Sequence, residues 1–355
     1  MKKIVLTGGG TAGHVTPNIA LLPALSEAGY EVEYIGSYNG MEKGLIEEQG
    51  VKYHGISTGK LRRYFDLKNF TDPFRVIKGF AEAKSLLKEI KPDVIFSKGG
   101  FVSVPVVRAA GQLKIPVIIH ESDMTPGLAN KLSFSAATKI CCNFPETVEL
   151  LPKEKAVLTG TPIRKELKCG NREEAKKLCG FTDDKPVLLV VGGSLGALSV
   201  NVAIRGVLDE LLAQFNIVHL CGKGKLDETY VGRAGYYQME YAKDEMKDLF
   251  ALADIVVSRA GANAICELLA LCKPNLLIPL PKGSSRGDQI LNAESFVRQG
   301  FSMILRDEEV TNETLLSQIR ELYAHREEYS ANMRNSNQTD AIETVMGLIK
   351  QLCRE

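Results

Sequence analysis

Short apolar runs alternate along this chain with longer segments whose apolar residues recur at helical spacing. The runs read KIVLT, EVEYIG, VKYHGI, DVIFS, PVIIH and TKICC, then, after a break, PVLLVV, NIVHLC, DIVVS and NLLIP. Their near-continuous hydrophobicity predicts strands buried on both faces, and the amphipathic segments between them predict covering helices. That alternation specifies an α/β chain with two doubly wound, Rossmann-like parallel sheets. A charged stretch rich in capping residues, RKELKCGNREEAKKLCGFTDDK, separates the two series and sets the expected domains at residues 1–160 and 161–337. The last amphipathic segment, AIETVMGLIKQL, has no strand after it, so residues 338–355 are expected to cross back onto the first domain. Ligands of doubly wound sheets sit beyond the carboxyl ends of the strands, so the two domains are expected to face one another across a binding cleft.

Several strands run directly into glycine turns that open a helix. In the first, GGGTAGHVTP, Gly8, Gly10 and Gly13 match the dinucleotide pattern G-x-G-x-x-G, but EVEYIG ends without the acidic residue that pattern needs. His14 follows the third glycine at the helix entrance, where the dipole favours a neutral imidazole; it suits a general base, and it equally suits a residue that only closes the loop. In the second, SKGGFVSVP, Lys98, Gly99 and Gly100 form an anion socket. PVIIHESD ends a strand in His120, Glu121, Ser122 and Asp123, polar residues at the ligand end of the sheet; His120 reads equally as a core histidine bonded to a carbonyl. Arg164 in GTPIR suits bidentate contact with a diphosphate, and VVGGSLGALSVN places Ser194 at the centre of a third glycine loop.

The stretch from Ser258 to Gln289 carries the most chemistry. DIVVS ends at Ser258, Arg259-Ala260-Gly261 turns, and a helix opens at about Ala262. Strand, turn and helix N-terminus together gather backbone N–H groups and the dipole at one point, which suits a phosphate. Glu267, further along the helix, can accept two hydrogen bonds from a vicinal diol such as a ribose. Asp288 and Gln289 then close a polar loop, with the amide free for further hydroxyls. A nucleotide-sugar meets all three groups; on this stretch alone, Glu267 is equally the solvated residue of an ordinary βαβ unit.

Composition narrows the setting. The 355 residues carry a formal net charge of +1, which does not argue for nucleic acid as a partner. Eight cysteines lie scattered without CxxC or metal spacing, so a reducing, cytoplasmic setting and no metal site are expected. The opening MKKIVLTGGG reads as a strand entering its loop rather than a signal peptide, and no apolar run reaches spanning length. Between residues 60 and 87, Arg62, Arg63, Lys68, Arg75 and Lys78 interleave with Tyr64, Phe65, Phe70, Phe74, Ile77 and Phe80. That mixture suits an anionic membrane surface, and it equally suits a helix with core aromatics and solvated charges.

Taken together, GGTAGHVTP, KGGFVSVP, HESDMTPGLANK, GTPIR, VVGGSLGALSVN, SRAGANAICE and GDQILNA resemble, in order and over nearly the whole chain, the MurG family of bacterial peptidoglycan glycosyltransferases. The resemblance implies a glycosyltransferase B fold, UDP-N-acetylglucosamine as donor, and inverting transfer to the 4-hydroxyl of lipid I at the cytoplasmic face of the membrane. It implies no cofactor beyond the donor substrate. By matching positions, Thr11, Ala12 and Gly13 would face the donor sugar beside His14, and Arg164 and Ser194 would hold its diphosphate. Ala262, Asn263, Ala264, Ile265 and Cys266 would wrap uridine and phosphate, Glu267 the ribose, and Gln289 the sugar hydroxyls. The first two glycine loops, through Gly10, Lys98, Gly99 and Gly100 with Asp123, would take the acceptor pyrophosphate. His14 is the first choice of base and Glu121 the second. The sequence departs from the family pattern at Ala12, where a second glycine is common, and at Asp123 and Asp288, where amides occur; an ionised carboxylate cannot donate what an amide donates. The rival readings are a sugar-nucleotide epimerase of the same fold, an NAD-dependent dehydrogenase resting on the first loop alone, and a non-catalytic donor-binding subunit.

Overall fold

The computed structural model describes residues 2–59, 68–193, 196–283, 287–336 and 338–353, with the backbone alone for 68–73. They form two compact units, Met1–Arg164 with Asp340–Glu355, and Lys165–Thr339. Arg164, read from the sequence as just inside the second domain, is therefore the last residue of the first unit before the chain crosses.

The first unit is built on strands β1 (Lys2–Thr7), β2 (Tyr30–Ser37), β3 (Lys52–Ile56), β4 (Val94–Ser97), β5 (Val117–Glu121), β6 (Lys139–Cys142) and β7 (Ala156–Leu158). They form one parallel sheet in the order β3-β2-β1-β4-β5-β6-β7. Alternate side chains enter opposite layers. Ile4 and Leu6 pack with Phe96, Ile118 and Cys141 on one face, while Val5 packs with Ile95, Ile119 and Cys142 on the other. The adjacent cysteines thus belong to two different core layers, and burial pushes both thiols up to about 12. The final helix, Ala341–Leu352, lays Val345, Met346, Ile349 and Leu352 onto the Ile4 face. Lys2 Nζ donates to the Cys353 carbonyl at 2.9 Å beside it.

The second unit repeats the plan with β8 (Val187–Val191), β9 (Asn216–Leu220), β10 (Tyr236–Met239), β11 (Ile255–Ser258), β12 (Asn275–Leu277) and β13 (Met303–Ile304), ordered β10-β9-β8-β11-β12-β13. One core layer runs from Leu188, Ile217 and Val257 to Leu315, Ile319 and Leu322. In both sheets the order reverses beside the first strand, between β1 and β4 and between β8 and β11. That reversal splays the following loops apart and opens a crevice at the strands' carboxyl ends. The glycine loops after β1, β4, β8 and β11 sit at these two switch points.

Candidate active site

In the first unit the two glycine loops lie against each other. An added Cβ on Gly100, whose φ is +82°, would collide with the Gly9 carbonyl and lie 3.3 Å from His14 Nδ1. Only glycine allows that approach. His14 ends a short 3-10 turn, Ala12–His14, and its Nδ1 lies 2.9 Å from Thr11 Oγ1. Burial, and then the nearby Lys98 charge, push the imidazole down to about 4. At neutral pH the ring is therefore uncharged. With Nδ1–H donating to Thr11, Nε2 keeps a lone pair for a proton.

Lys98, read from the sequence as part of an anion socket, is 1% exposed and turns inward. Its ammonium donates to His120 Nδ1 at 2.8 Å and to Ser122 Oγ. An ammonium can only donate, so the His120 proton sits on Nε2, which donates to the Gly160 carbonyl at 2.8 Å. His120 is fully buried and held well below its ordinary range by burial first and by Lys98 second. It is the core histidine bonded to a carbonyl. The chain Lys98–His120–Gly160 ties the loop after β4 to the end of β5 and to the segment after β7, and it sets a positive charge beneath the Gly99-Gly100 turn.

Glu121 is corrected as a base. Its Oε1 accepts from the Ser122 and Asp123 amides at 2.9 and 3.1 Å, and its Oε2 from the Gly127 amide and Asn130 Nδ2, both at 2.9 Å. Burial raises its pKa above the usual carboxylate range. Four donors and near-complete burial leave no lone pair facing a substrate, so Glu121 holds the 122–127 turn. Asp123 lies half-buried in that turn.

Glu42 was missed in the sequence. It lies in the first turn of the Met41–Glu47 helix, fully buried, and accepts the Gly10 N–H at 3.3 Å through Oε2. Nothing in GMEKGL marks it, because only the packing of that helix end carries it beneath the glycine loop.

In the second unit the helix Ala262–Ala270 starts at Gly261 with no side-chain cap and no acidic residue in its first turn. Its first helical bond runs from Ile265 N–H to the Gly261 carbonyl. The preceding amides of Ala262 and Ala264 have no partner among the described residues, so donors and dipole are available to an anion. Asn263 and Glu267 sit half-buried nearby. Ile265 and Cys266 are buried, and the Ile265 amide is spent inside the helix, so these two support the turn rather than wrap a ligand. On the helix Asp288–Arg298, Asn292 Nδ2 reaches the Ala260 carbonyl at 3.4 Å, which holds Gln289, one turn earlier, at the same end. Gln289 Oε1 accepts from the Leu280 amide at 3.1 Å, and its NH2 has no partner among the described residues. Asp288 opens the helix, half-buried.

The two arginines differ. Arg259 is 8% exposed and braces the unit: Nη1 meets the Ile278 carbonyl at 2.9 Å and Asp307 at 2.5 Å, and Nη2 meets Ser199 at 2.7 Å. Arg164 is exposed and makes no hydrogen bond or ion pair with any described residue. Ser194 lies outside the described residues, as do Arg62, Arg63, Tyr64 and Phe65. Among the described residues no group of three or more His, Cys, Asp or Glu side chains is placed to hold a metal ion.

Comparisons with known proteins match the chain to the glycosyltransferase family 28 N-terminal domain over residues 4–142 and to the family's C-terminal domain over 187–349. It is 66% identical over 350 residues to the UDP-N-acetylglucosamine--N-acetylmuramyl-(pentapeptide) pyrophosphoryl-undecaprenol N-acetylglucosamine transferase of Lachnospira eligens, covering 99% of both chains. The protein of the same name from Clostridium tetani is 58% identical, over 99% of this chain and 98% of that one. Among solved structures, MurG of Acinetobacter baumannii superposes with a TM-score of 0.79 at 26% identity, covering 99% of this chain and all of that one. A UDP-GlcNAc 2-epimerase from Neisseria meningitidis gives 0.69 at 14% identity over 99% and 100% of the two chains, a likeness of fold alone.

Proposed function

The chain belongs to glycosyltransferase family 28 and, within it, to the MurG family; from that premise we propose that it moves N-acetylglucosamine from UDP-GlcNAc to lipid I, giving lipid II. The single observation that carries the reading is the full-length match, at 66% identity, to a protein named for that transfer. The acceptor is the 4-hydroxyl of the undecaprenyl-pyrophosphoryl-linked MurNAc-pentapeptide, and the transfer inverts the anomeric centre. His14 takes the proton of that hydroxyl. The uncapped N-terminus at Ala262–Ala264, with Arg164, steadies the leaving UDP electrostatically. Glu267 accepts from the ribose, and the unspent Gln289 amide donates to the sugar. The test is UDP release from UDP-GlcNAc with and without a lipid I analogue. Release that needs the acceptor and yields a disaccharide supports the transferase; release without acceptor, accompanied by epimerised sugar, overturns it in favour of an epimerase.

The arginines give a second check. Arg164→Ala is expected to weaken UDP while leaving uridine affinity and Tm unchanged. Arg259→Ala is expected to lower Tm by several degrees, since it removes the cation paired with Asp307 and the donor to the Ile278 carbonyl, leaving Asp307 only the Ser199 hydroxyl. Calorimetry with both ligands, beside thermal melts, separates the two; equal UDP and uridine affinity in Arg164→Ala and its parent removes the diphosphate assignment.

We further propose peripheral docking on anionic lipid at the cytoplasmic face through the helix Lys68–Ile90. Phe74 and Ile77 are 74% and 66% exposed. A shallow, largely apolar groove of about 670 Å³ beside them is lined by Ile77, Phe80, Val104, Pro105 and Leu132. Among the described residues no helix is long and apolar enough to cross a membrane. Flotation with phosphatidylglycerol vesicles is expected to fall with salt and with Phe74→Ser plus Ile77→Ser, each basic residue near the surface contributing roughly 1 kcal/mol. Flotation indifferent to both changes removes the docking surface.

A further inference from the structure

Glycine loops at helix entrances bind anions because their amides point outward and unspent. The loop after β1 does not meet that condition. The Gly10 N–H already donates to Glu42 Oε2 at 3.3 Å. Glu42 Oε1 accepts from the Ser37 amide at 3.0 Å and from Ser37 Oγ at 2.5 Å. The carboxylate is fully buried and makes no ion pair with any described residue. It presses against the loop from beneath, since a Cβ added to Gly9 would lie 2.6 Å from its carboxyl carbon. Its charge is felt nearby: burial first, and Glu42 with it, hold the Tyr34 and Tyr53 phenols well above their ordinary range. The loop after β4 differs in the sign of the charge beneath it and in its second glycine, while its first, Gly99, donates its N–H to Ser97 Oγ at 3.3 Å. The Gly100 N–H has no partner among the described residues, and the charge beneath that loop is the Lys98 ammonium.

We infer that Glu42 is the internal anion of the first glycine loop: it takes the Gly10 N–H that a phosphate would need, keeps the acceptor diphosphate off that loop, and fixes the backbone carrying Thr11 and His14. The inference rests on the transferase reading above. It corrects the expectation that both loops share the pyrophosphate and makes Glu42 a positioning residue. The physical reasons are local. A buried unpaired carboxylate repels a second anion at contact range, and an amide hydrogen satisfied from below is lost to a ligand above.

Two variants of the full chain test it. Glu42→Ala removes the charge and frees the Gly10 amide, so inorganic pyrophosphate is expected to bind about tenfold tighter by calorimetry. That reading needs no turnover, so it stands even where the transferase assay on the parent fails. Glu42→Gln keeps the shape, but its amide NH2 then faces either the Gly10 N–H or the Ser37 donors. It is expected to lower kcat about 10–100-fold with a much smaller change in KM for UDP-GlcNAc, because the base moves while the groups proposed to hold UDP lie outside this loop. Should Glu42→Ala fail to fold, Gly9→Ala displaces the carboxylate by a single methyl and is expected to show the same split. Unchanged pyrophosphate affinity in Glu42→Ala, or a Glu42→Gln whose kcat stays within about twofold of the parent, overturns the proposal. A parallel loss of kcat, donor affinity and Tm overturns it too, since that pattern marks a merely structural carboxylate.

Discussion

His14→Ala is expected to lower kcat by about 10²–10⁴-fold and to leave UDP affinity nearly unchanged, the size of effect a lone general base supplies. The pH profile makes the test specific. Burial and Lys98 push the imidazole down to about 4, so its lone pair is available throughout the neutral range. The acidic limb of kcat/KM, which reports the free enzyme, should therefore fall near pH 4 rather than near the ordinary histidine value of about 6.5, and it should vanish in the variant. The sign for stability follows from the same shift. A folded-state pKa below the unfolded one means the folded protein binds fewer protons between the two values, so stability is lost as pH falls through that window. Thr11→Val, which removes the hydroxyl bonded to His14 Nδ1, should lower kcat without moving donor affinity. Glu121→Gln is expected to lower Tm, because its NH2 would face two of the four donors the carboxylate now satisfies. A Glu121→Gln protein with parental Tm and lost kcat, beside a His14→Ala protein with parental kcat, would move the base to Glu121.

Glu267→Ala is expected to weaken UDP by roughly 1.5–3 kcal/mol, about 10–150-fold, through loss of charge-assisted hydrogen bonds to the ribose. Glu267 stands half-buried on the helix whose N-terminus offers the Ala262 and Ala264 amides, so a nucleoside diphosphate bound at that end has its ribose within the helix's first turns. Calorimetry with UDP and with 2′-deoxy-UDP is the measurement. The parent should lose affinity on losing the 2′-hydroxyl, and Glu267→Ala should not distinguish the two ligands. Parental UDP affinity in Glu267→Ala would make it the solvated residue of an ordinary βαβ unit.

The central strands were legible because both faces are buried and their runs are almost unbroken. Three strands escaped: β7, β10 and β13. Each lies at the edge of its sheet and is two to four residues long. They are too short to read: Ala156–Leu158 offers only three apolar residues, all half-buried, and Tyr236–Met239 is interrupted by Gln238. Glycine loops were legible as loops, since a strand followed by clustered glycines has few other uses. What the charged residues beside them do was not. Lys98, Glu121 and Arg259 look alike in sequence to ligand-facing groups, yet each turns inward to partners 19 to 60 residues away or to a neighbouring turn. Sequence spacing places a side chain on a loop; whether its polar end points up or down depends on which donors the neighbouring strand brings beneath it.

The last helix gives the chain an unusual history. Ile4, Leu6 and Phe96 lie in a layer that Val345, Met346, Ile349 and Leu352 complete. A ribosome makes the first unit's strands early, but the residues that cover this layer emerge only after the whole of Lys165–Thr339. At ordinary rates of synthesis that interval is on the order of ten seconds or more. Through it, the nascent first unit carries an uncovered apolar face while the second can already fold. The helix Ala341–Leu352 acts as a latch, and a chain that stops short of it leaves the ribosome with its oldest part unfinished.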